Sequence, residues 1–236
     1  MLSVVMPAFN EKDFLRSAVG DVVTGLRAQG HDAEVIVVEN GSTDGTAALA
    51  LELAGETNEI RVLSLPKADY GAALRAGLLA AGGEVVVNFD VDYYDLDFLD
   101  RAVKLILSEG GPVIVVASKR GAGSDDQRAA GRRLITSIFA GVLRFGFGLR
   151  VSDTHGMKAM RRAPLLSVVE SCRFGTDLFD TELLLRAERN GLAVAELPIV
   201  VSDSRPSRTS IVRRGVRTVG GLVQLRIALW REHDRR

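Results

Sequence analysis

Two carboxylates one residue apart, Asp90 and Asp92 of Phe89-Asp90-Val91-Asp92, leave the end of an apolar run. Paired oxygens of this kind are what hard divalent cations such as Mg2+ or Mn2+ take as ligands. An exposed turn bearing acids is the competing reading. It stays open because Asp95, Asp97 and Asp100 follow closely, and acids in the first turn of a helix favour its macrodipole without any metal. Asp97 and Asp100 are assigned to that helix-start role. A second segment, Glu39-Asn40-Gly41-Ser42-Thr43-Asp44-Gly45-Thr46, gathers acceptor carboxylates, permissive glycines and capping side chains around one helix start, more than a plain turn needs. A third, Pro7-Ala8-Phe9-Asn10-Glu11, follows another apolar run, with Pro7 fixing the exit direction of the chain and Glu11 opening a helix. Alone it reads as a cap and a turn.

The elements that must position these segments are legible. Short Val- and Ile-rich runs at 2–6, 33–38, 60–65, 84–89 and 112–117 read as buried strands. Between them, 12–29, 46–54, 72–81 and 96–108 have helical spacing and close on breakers such as Gly30 and Gly82. Alternating β and α elements imply a mostly parallel, doubly wound α/β sheet with helices on both faces. In such sheets ligands bind beyond the carboxyl ends of the strands, where all three segments fall. Beyond Ser118 the pattern loosens into a Gly- and charge-rich loop, with Gly121 to Gln127 as a candidate mobile active-site loop, and then helical stretches at 132–147, 179–190 and 211–230. The chain reads as one catalytic domain over 1–210 followed by a basic, amphipathic C-terminal appendage over 211–236.

At 236 residues and 47% hydrophobic content, the chain is long enough to bury one sizeable core. No run of about eighteen uncharged apolar residues occurs, and the first residues lack the basic start of a secretory signal, so a cytosolic protein without a membrane span is expected. The single cysteine, Cys172, excludes an internal disulfide or a Cys-rich metal site and reads as a packing residue. Net charge is zero, yet residues 1–118 carry 18 acids and 8 bases whereas 119–236 carry 12 acids and 22 bases. That division points to an anionic partner. Nucleic acid is not favoured, since no helix-turn-helix, zinc finger or aromatic single-strand platform is present.

In order and spacing, Pro7 to Glu11, Glu39 to Thr46 and Asp90-Val91-Asp92 resemble the family 2 glycosyltransferases of GT-A fold, particularly the dolichol- and polyprenol-phosphate sugar transferases. The resemblance continues through Asp153-Thr154-His155-Gly156-Met157-Lys158, which is similar to the family's Asp-led segment ending in Gly, an apolar residue and a base. It continues also through Phe179-Asp180-Thr181-Glu182, similar to a Phe-Asp-x-Glu helix start, and Arg205 to Ser210, which stands where the family has an Arg-x-x-Gly-x-Ser loop. It implies that Asp92 is the principal ligand of Mg2+ or Mn2+ and that Asp90 is a ligand or a ribose contact. It places Pro7, Phe9, Glu11, Glu39 and Asn40 around the nucleoside, and Lys119 and Arg120 on the donor diphosphate. Arg133, Arg205, Arg208 and Ser210 are left to hold an acceptor or phosphate anion.

Several positions depart from the family. Glu39 and Asn40 replace a usual pair of aspartates, which loosens the inference about the base, because Asn donates as well as accepts. The Asp153 to Lys158 segment is one residue short and brings His155, read either as a third metal ligand and acceptor contact or as a packing residue. The implied reaction is a single, inverting displacement at the anomeric carbon of a hexose carried by a nucleotide-diphosphate sugar of GDP-mannose or UDP-glucose type. A polyprenyl phosphate acceptor is already an anionic nucleophile; a soluble hydroxyl acceptor needs a base, for which Asp180 is the candidate, its alternative role being a helix cap. A nucleotide-sugar-binding protein without catalysis is the third reading. The basic second half suits peripheral seating on an anionic membrane at the inner face of the cytoplasmic membrane, with packing of its helices on the sheet or a homodimer interface as the alternative.

Overall fold

The computed structural model describes residues 1–118, 125–126, 141–201 and 220–230. Lys119, Arg120, Arg133, Arg205, Arg208 and Ser210 lie outside the described residues, as does all of the Gly121 to Gln127 loop except 125–126. The apolar runs form β1 (Leu2–Ala8), β2 (Ala33–Asn40), β3 (Ile60–Leu65), β4 (Val85–Asn88) and β5 (Ile114–Ser118). Between them run α1 (Lys12–Ala28), α2 (Thr46–Glu56), α3 (Tyr70–Ala80) and α4 (Leu96–Leu107). The spacing of apolar residues explains the helices. In α4, Phe98, Leu99, Ala102, Val103 and Ile106 recur every three or four residues and are all buried. Asp95 caps that helix by accepting from the N–H groups of Asp97 at 2.9 Å and Phe98 at 3.0 Å. Asp97 lies in the first turn of α4, as its helix-start assignment expects, whereas Asp100 falls one turn later; both pair outward, with Arg101 and Lys104.

The remaining described elements are β6 (Asp125–Asp126), α5 (described over 141–147), β7 (Lys158–Arg161), α6 (Arg162–Ser171), a short 3-10 turn (Thr176–Leu178), α7 (Phe179–Arg189), β8 (Val194–Pro198), β9 (Val200–Val201) and α8 (220–230). Seven strands form one sheet in the order β3-β2-β1-β4-β7-β5-β8, and β6 pairs with β9 in a second, two-stranded sheet. All neighbours in the large sheet run parallel except β7, which is antiparallel to both β4 and β5. The expected doubly wound α/β sheet is therefore present, with two strands, the inserted β7 and the edge strand β8, that the apolar runs did not announce.

Successive residues of β1 serve opposite faces. Val4, Met6 and Ala8 join a core beneath α1, α2 and α4, whereas Val5 joins a second core beneath α3, α6 and α7. Gly77 of α3 lies so close to β1 that a Cβ there would stand 2.3 Å from Val5 Cγ1, which demands glycine at this crossing. Leu222, Leu225 and Leu229 of α8 are buried in the second core, as is Cys172, which packs there as expected. The strand order reverses at β1, so the crevice beyond the carboxyl ends of β1 and β4 is the expected ligand site of an open α/β sheet.

Candidate active site

The loops after β1 and β2 are stitched together by side chains that satisfy the orphan N–H groups at the start of α1. Asn10 N–H donates to Ser42 Oγ at 3.0 Å, Glu11 N–H to Thr46 Oγ1 at 2.9 Å and Lys12 N–H to Asp44 Oδ2 at 3.2 Å. In return Thr43 N–H donates to Asn10 Oδ1 at 2.9 Å, with Asn10 at φ 55°, a left-handed conformation that Asn tolerates better than most residues. Burial opposes the charge on Asp44, but hydrogen bonds from Thr46 and Lys12 outweigh it and hold this carboxyl below its usual range. Glu11 is the N-cap residue of α1 without a side-chain capping bond. Pro7 is buried within β1, and Phe9 presents a 41% exposed ring at the mouth.

Glu39 and Asn40 end β2 with both side chains buried. Glu39 Oε1 accepts from Ser42 N–H at 2.6 Å and shapes the turn. Asn40 Oδ1 accepts from Asp69 N–H at 2.9 Å and ties this wall to the start of α3. Asp69 caps α3 through Ala72 N–H at 2.9 Å, so the helix begins at Tyr70 rather than at the expected Ala72. Asp69 also accepts from Thr176 N–H at 2.6 Å, joining the first half of the chain to the turn before α7.

Beyond β4, Asp90 and Tyr93 exchange two backbone hydrogen bonds of 3.1 Å, making a tight hairpin with Val91 and Asp92 at its tip. Val91 is buried, Asp92 is exposed, and Asp90 lies half-buried with Tyr70 Oη donating to its Oδ1 at 3.0 Å. Burial raises the Asp90 carboxyl to about 6; the Tyr70 bond opposes the rise, while the nearby charges of Asp180 and Asp92 add to it. Burial, together with Asp90 and Asp180, also drives the Tyr70 hydroxyl well above its ordinary value. Negative charge is thus crowded at the end of β4.

The opposite wall rests on an ion pair. Lys158 and Asp180 are 0% and 2% exposed, with Nζ 2.7 Å from Oδ1, and Lys158 Nζ also donates to Gly156 O at 2.8 Å. Asp180 is the second residue of α7, whose N-cap is Leu178, so its side chain is engaged in this pair rather than in capping. Glu182 is fully buried and accepts from the N–H groups of Arg173 and Phe174 and from Arg186 Nε, each at 2.8 Å, a structural role. His155 is half-buried, its Nδ1 3.0 Å from Thr154 Oγ1, which in turn accepts from Thr181 Oγ1 at 3.2 Å. Among the described residues no three or more His, Cys, Asp or Glu side chains converge closely enough to hold a metal, so Asp90, Asp92 and His155 do not form a ready three-ligand cage. The paired carboxylates nevertheless suit a cation that arrives on a diphosphate, because Mg2+ in such sites takes one or two carboxylates and completes its shell with phosphate oxygens and water. The crowded charge at Asp90 is what a cation there would relieve.

Residues 3–168 match the sequence model of glycosyl transferase family 2. The chain belongs to that family. Polyprenol monophosphomannose synthase of Mycolicibacterium smegmatis is 34% identical to this family 2 glycosyltransferase over 212 residues, covering 85% of this chain and 77% of the relative. Dolichyl-phosphate beta-glucosyltransferase ALG5C of Trichomonas vaginalis is 27% identical over 251 aligned residues, covering 98% and 73%. Among solved structures, M. tuberculosis glucosyl-3-phosphoglycerate synthase is similar with a TM-score of 0.63 at 28% identity, covering 87% of this chain and 73% of that one. The sheet of this glycosyltransferase is the GT-A arrangement implied by its motifs.

Sequence reasoning missed Tyr70, Asp69 and the role of Lys158. Tyr70 left a weak signal, standing directly after a capping Asp at the start of an apolar helix. Lys158 left none as a buried charge, since its partner is 22 residues away.

Proposed function

We propose that this protein transfers a hexose, with inversion, from a nucleotide-diphosphate sugar of GDP-mannose or UDP-glucose type to a polyprenyl phosphate. The observation that carries the acceptor class is the state of Asp180. The carboxylate available to deprotonate a hydroxyl acceptor is buried and ion-paired with Lys158, whereas a phosphate monoester attacks as an anion and needs no base. The two relatives whose names specify dolichyl phosphate and polyprenol support the same acceptor.

In this reading the nucleoside lies against Phe9, Glu11, Glu39 and Asn40 beside Pro7. Asp92 and Asp90 hold Mg2+ or Mn2+, which when bound supplies positive charge to the donor diphosphate. Tyr70 fixes one oxygen of Asp90 and leaves the other for a ligand. Lys119 and Arg120 neutralise the departing nucleotide, and Arg133, Arg205, Arg208, Ser210 and His155 receive the acceptor phosphate. The catalytic domain occupies 1–210, the basic segment 211–236 is its appendage, and the enzyme works as a peripheral cytoplasmic protein at the inner membrane face. No described helix is long and apolar enough to cross a membrane.

A second reading, transfer to a phosphoglycerate-type acceptor, draws on the likeness to glucosyl-3-phosphoglycerate synthase. The test is transfer from radiolabelled GDP-mannose and UDP-glucose to detergent-dispersed polyprenyl phosphate or to 3-phosphoglycerate, with Mn2+ and with chelator. Chelator-sensitive labelling of the lipid alone is the expected result. Labelling of phosphoglycerate alone would install the second reading, and donor binding without turnover on either acceptor would mean a binding protein.

A further inference from the structure

Helix α8 has two apolar stripes. Leu222, Leu225 and Leu229 face the second core, while Val223, Ile227 and Trp230 face outward, with Trp230 63% exposed. An apolar stripe on each side of a helix calls for a partner on each. Among the described residues only one side has it. Beside α8 lies α5, which buries Leu143 and turns Val142 and a Phe145 that is 89% exposed toward solvent. Arg226 pins the two helices together, donating from Nη1 to Gly146 O and lying 5.6 Å above the Phe147 ring. Large side chains bared this closely mark an interaction surface.

Charge identifies the partner. The sequence has no acid from Gln127 to Ser152 and none from Ser204 to Arg231, so both helices carry only positive charge, with Arg144, Arg150 and Arg226 exposed; the six residues after Trp230 hold two acids, Glu232 and Asp234, against three arginines. A second copy docking through a two-fold axis would set the same patch against itself and bring these arginines face to face. An anionic bilayer surface has the opposite sign and an apolar layer just beneath it.

The face is also continuous with the acceptor side of the site. Gly221 of α8 sits so close to the turn before α7 that a Cβ there would stand 2.0 Å from Leu178 Cδ1, two residues before Asp180. The chain leaving α5 runs through 148–152 directly into the Asp153 to Lys158 segment.

We infer that the outward face of α5 and α8, centred on Phe145 and Trp230, seats the protein on an anionic lipid bilayer, with Arg144 and Arg226 at the headgroups. The purpose of this seating rests on the lipid-phosphate reading, although its evidence does not. Trp230 is the only tryptophan, so the unmodified chain carries its own probe. Its emission should shift to the blue on mixing with vesicles containing one-third phosphatidylglycerol, far less with phosphatidylcholine alone, and return as salt is added. Phe145→Ser should lower vesicle partitioning at least tenfold, the equivalent of returning one buried aromatic side chain to water. Arg144→Glu should lower it about fivefold or more, given the attraction of one basic residue to such a surface. Both variants should keep the wild-type melting temperature. The proposal is overturned if phosphatidylglycerol vesicles leave the emission unmoved, or if neither variant changes partitioning. It is overturned equally if the blue shift grows with protein concentration without lipid and Phe145→Ser abolishes it, because the face then belongs to a second copy. Sugar transfer to detergent-dispersed polyprenyl phosphate without vesicle binding defeats the docking surface alone, and vesicle binding without any such transfer defeats the acceptor reading alone.

Discussion

The two walls of the crevice are held by different kinds of bond. On the side proposed for the donor, the loops after β1 and β2 are knitted by short neutral side chains and Asp44 to backbone N–H groups, four bonds between 2.9 and 3.2 Å, two of them exposed and two part-buried. On the side proposed for the acceptor, a fully buried lysine and aspartate hold β7 to α7. Single hydrogen bonds of the first kind each contribute little, whereas a buried charge pair is costly to break from one end, because the remaining charge has no water to turn to. In the proposed function, the wall that takes the nucleotide can thus adjust to it, while the wall that faces the acceptor is fixed in advance.

That contrast predicts the largest effect at Lys158. Lys158→Met should destabilise the protein by about 3–5 kcal/mol, since Asp180 is left buried and unpaired. Chemical denaturation measures it, and adding Asp180→Leu to the same chain should recover much of the loss. Recovery failing while both variants fold would mean that the pair does more than satisfy its own charges.

Between the walls stands Asp90, where the expected change has the opposite sign. Its carboxyl is raised from the ordinary 3.8 to about 6 in the fold, so ionisation is less favourable folded than unfolded. Below pH 4 both states are protonated and nothing is lost; as the pH rises from 4 to 6 the unfolded state ionises first, and stability falls to a level it keeps above 6. Asp90→Asn should therefore raise stability by roughly 1–2 kcal/mol at pH 7, a gain that fades toward pH 4, while weakening metal-dependent donor binding. Melting curves at the two pH values compare it with the wild type.

Tyr70→Phe removes one hydrogen bond to Asp90 and should cost about 1 kcal/mol or less in stability. If Tyr70 positions Asp90 for the metal, the same variant should raise the Mn2+ concentration needed for half-maximal turnover, which a purely packing tyrosine would leave alone. The smallest effect belongs to the donor wall: Ser42→Ala should lower stability by roughly 0.5–1 kcal/mol and chiefly raise the KM for donor.

The same difference explains what could be read in the sequence. Donor-side elements announce themselves locally: Val and Ile runs give β1 to β5, the caps follow within a few residues, and Asp90 and Asp92 are adjacent to the strand that delivers them. The acceptor side is assembled from distant pieces. β7 is four residues, Lys-Ala-Met-Arg, with no apolar run, and it becomes a central strand only because β4 and β5 leave a gap between them. Pro164 near its start disguises α6, and the partner of Asp180 lies 22 residues away, at the start of β7. The setting of His155 is likewise not local: its ring meets Thr154, which is itself held by Thr181 from α7.

The central claim, that the exposed carboxylate at the tip of the β4 hairpin carries metal-dependent donor binding, is tested most directly by calorimetric titration of GDP-mannose and UDP-glucose into the wild type and Asp92→Asn, with Mn2+ and with chelator. Asp92 is exposed, so the variant should melt like the wild type. One of the two donors should bind the wild type only with Mn2+ and should lose at least tenfold in affinity in the variant, as expected when a charged oxygen ligand is removed. Equal affinity in both proteins, or donor binding indifferent to Mn2+ and chelator, would contradict it.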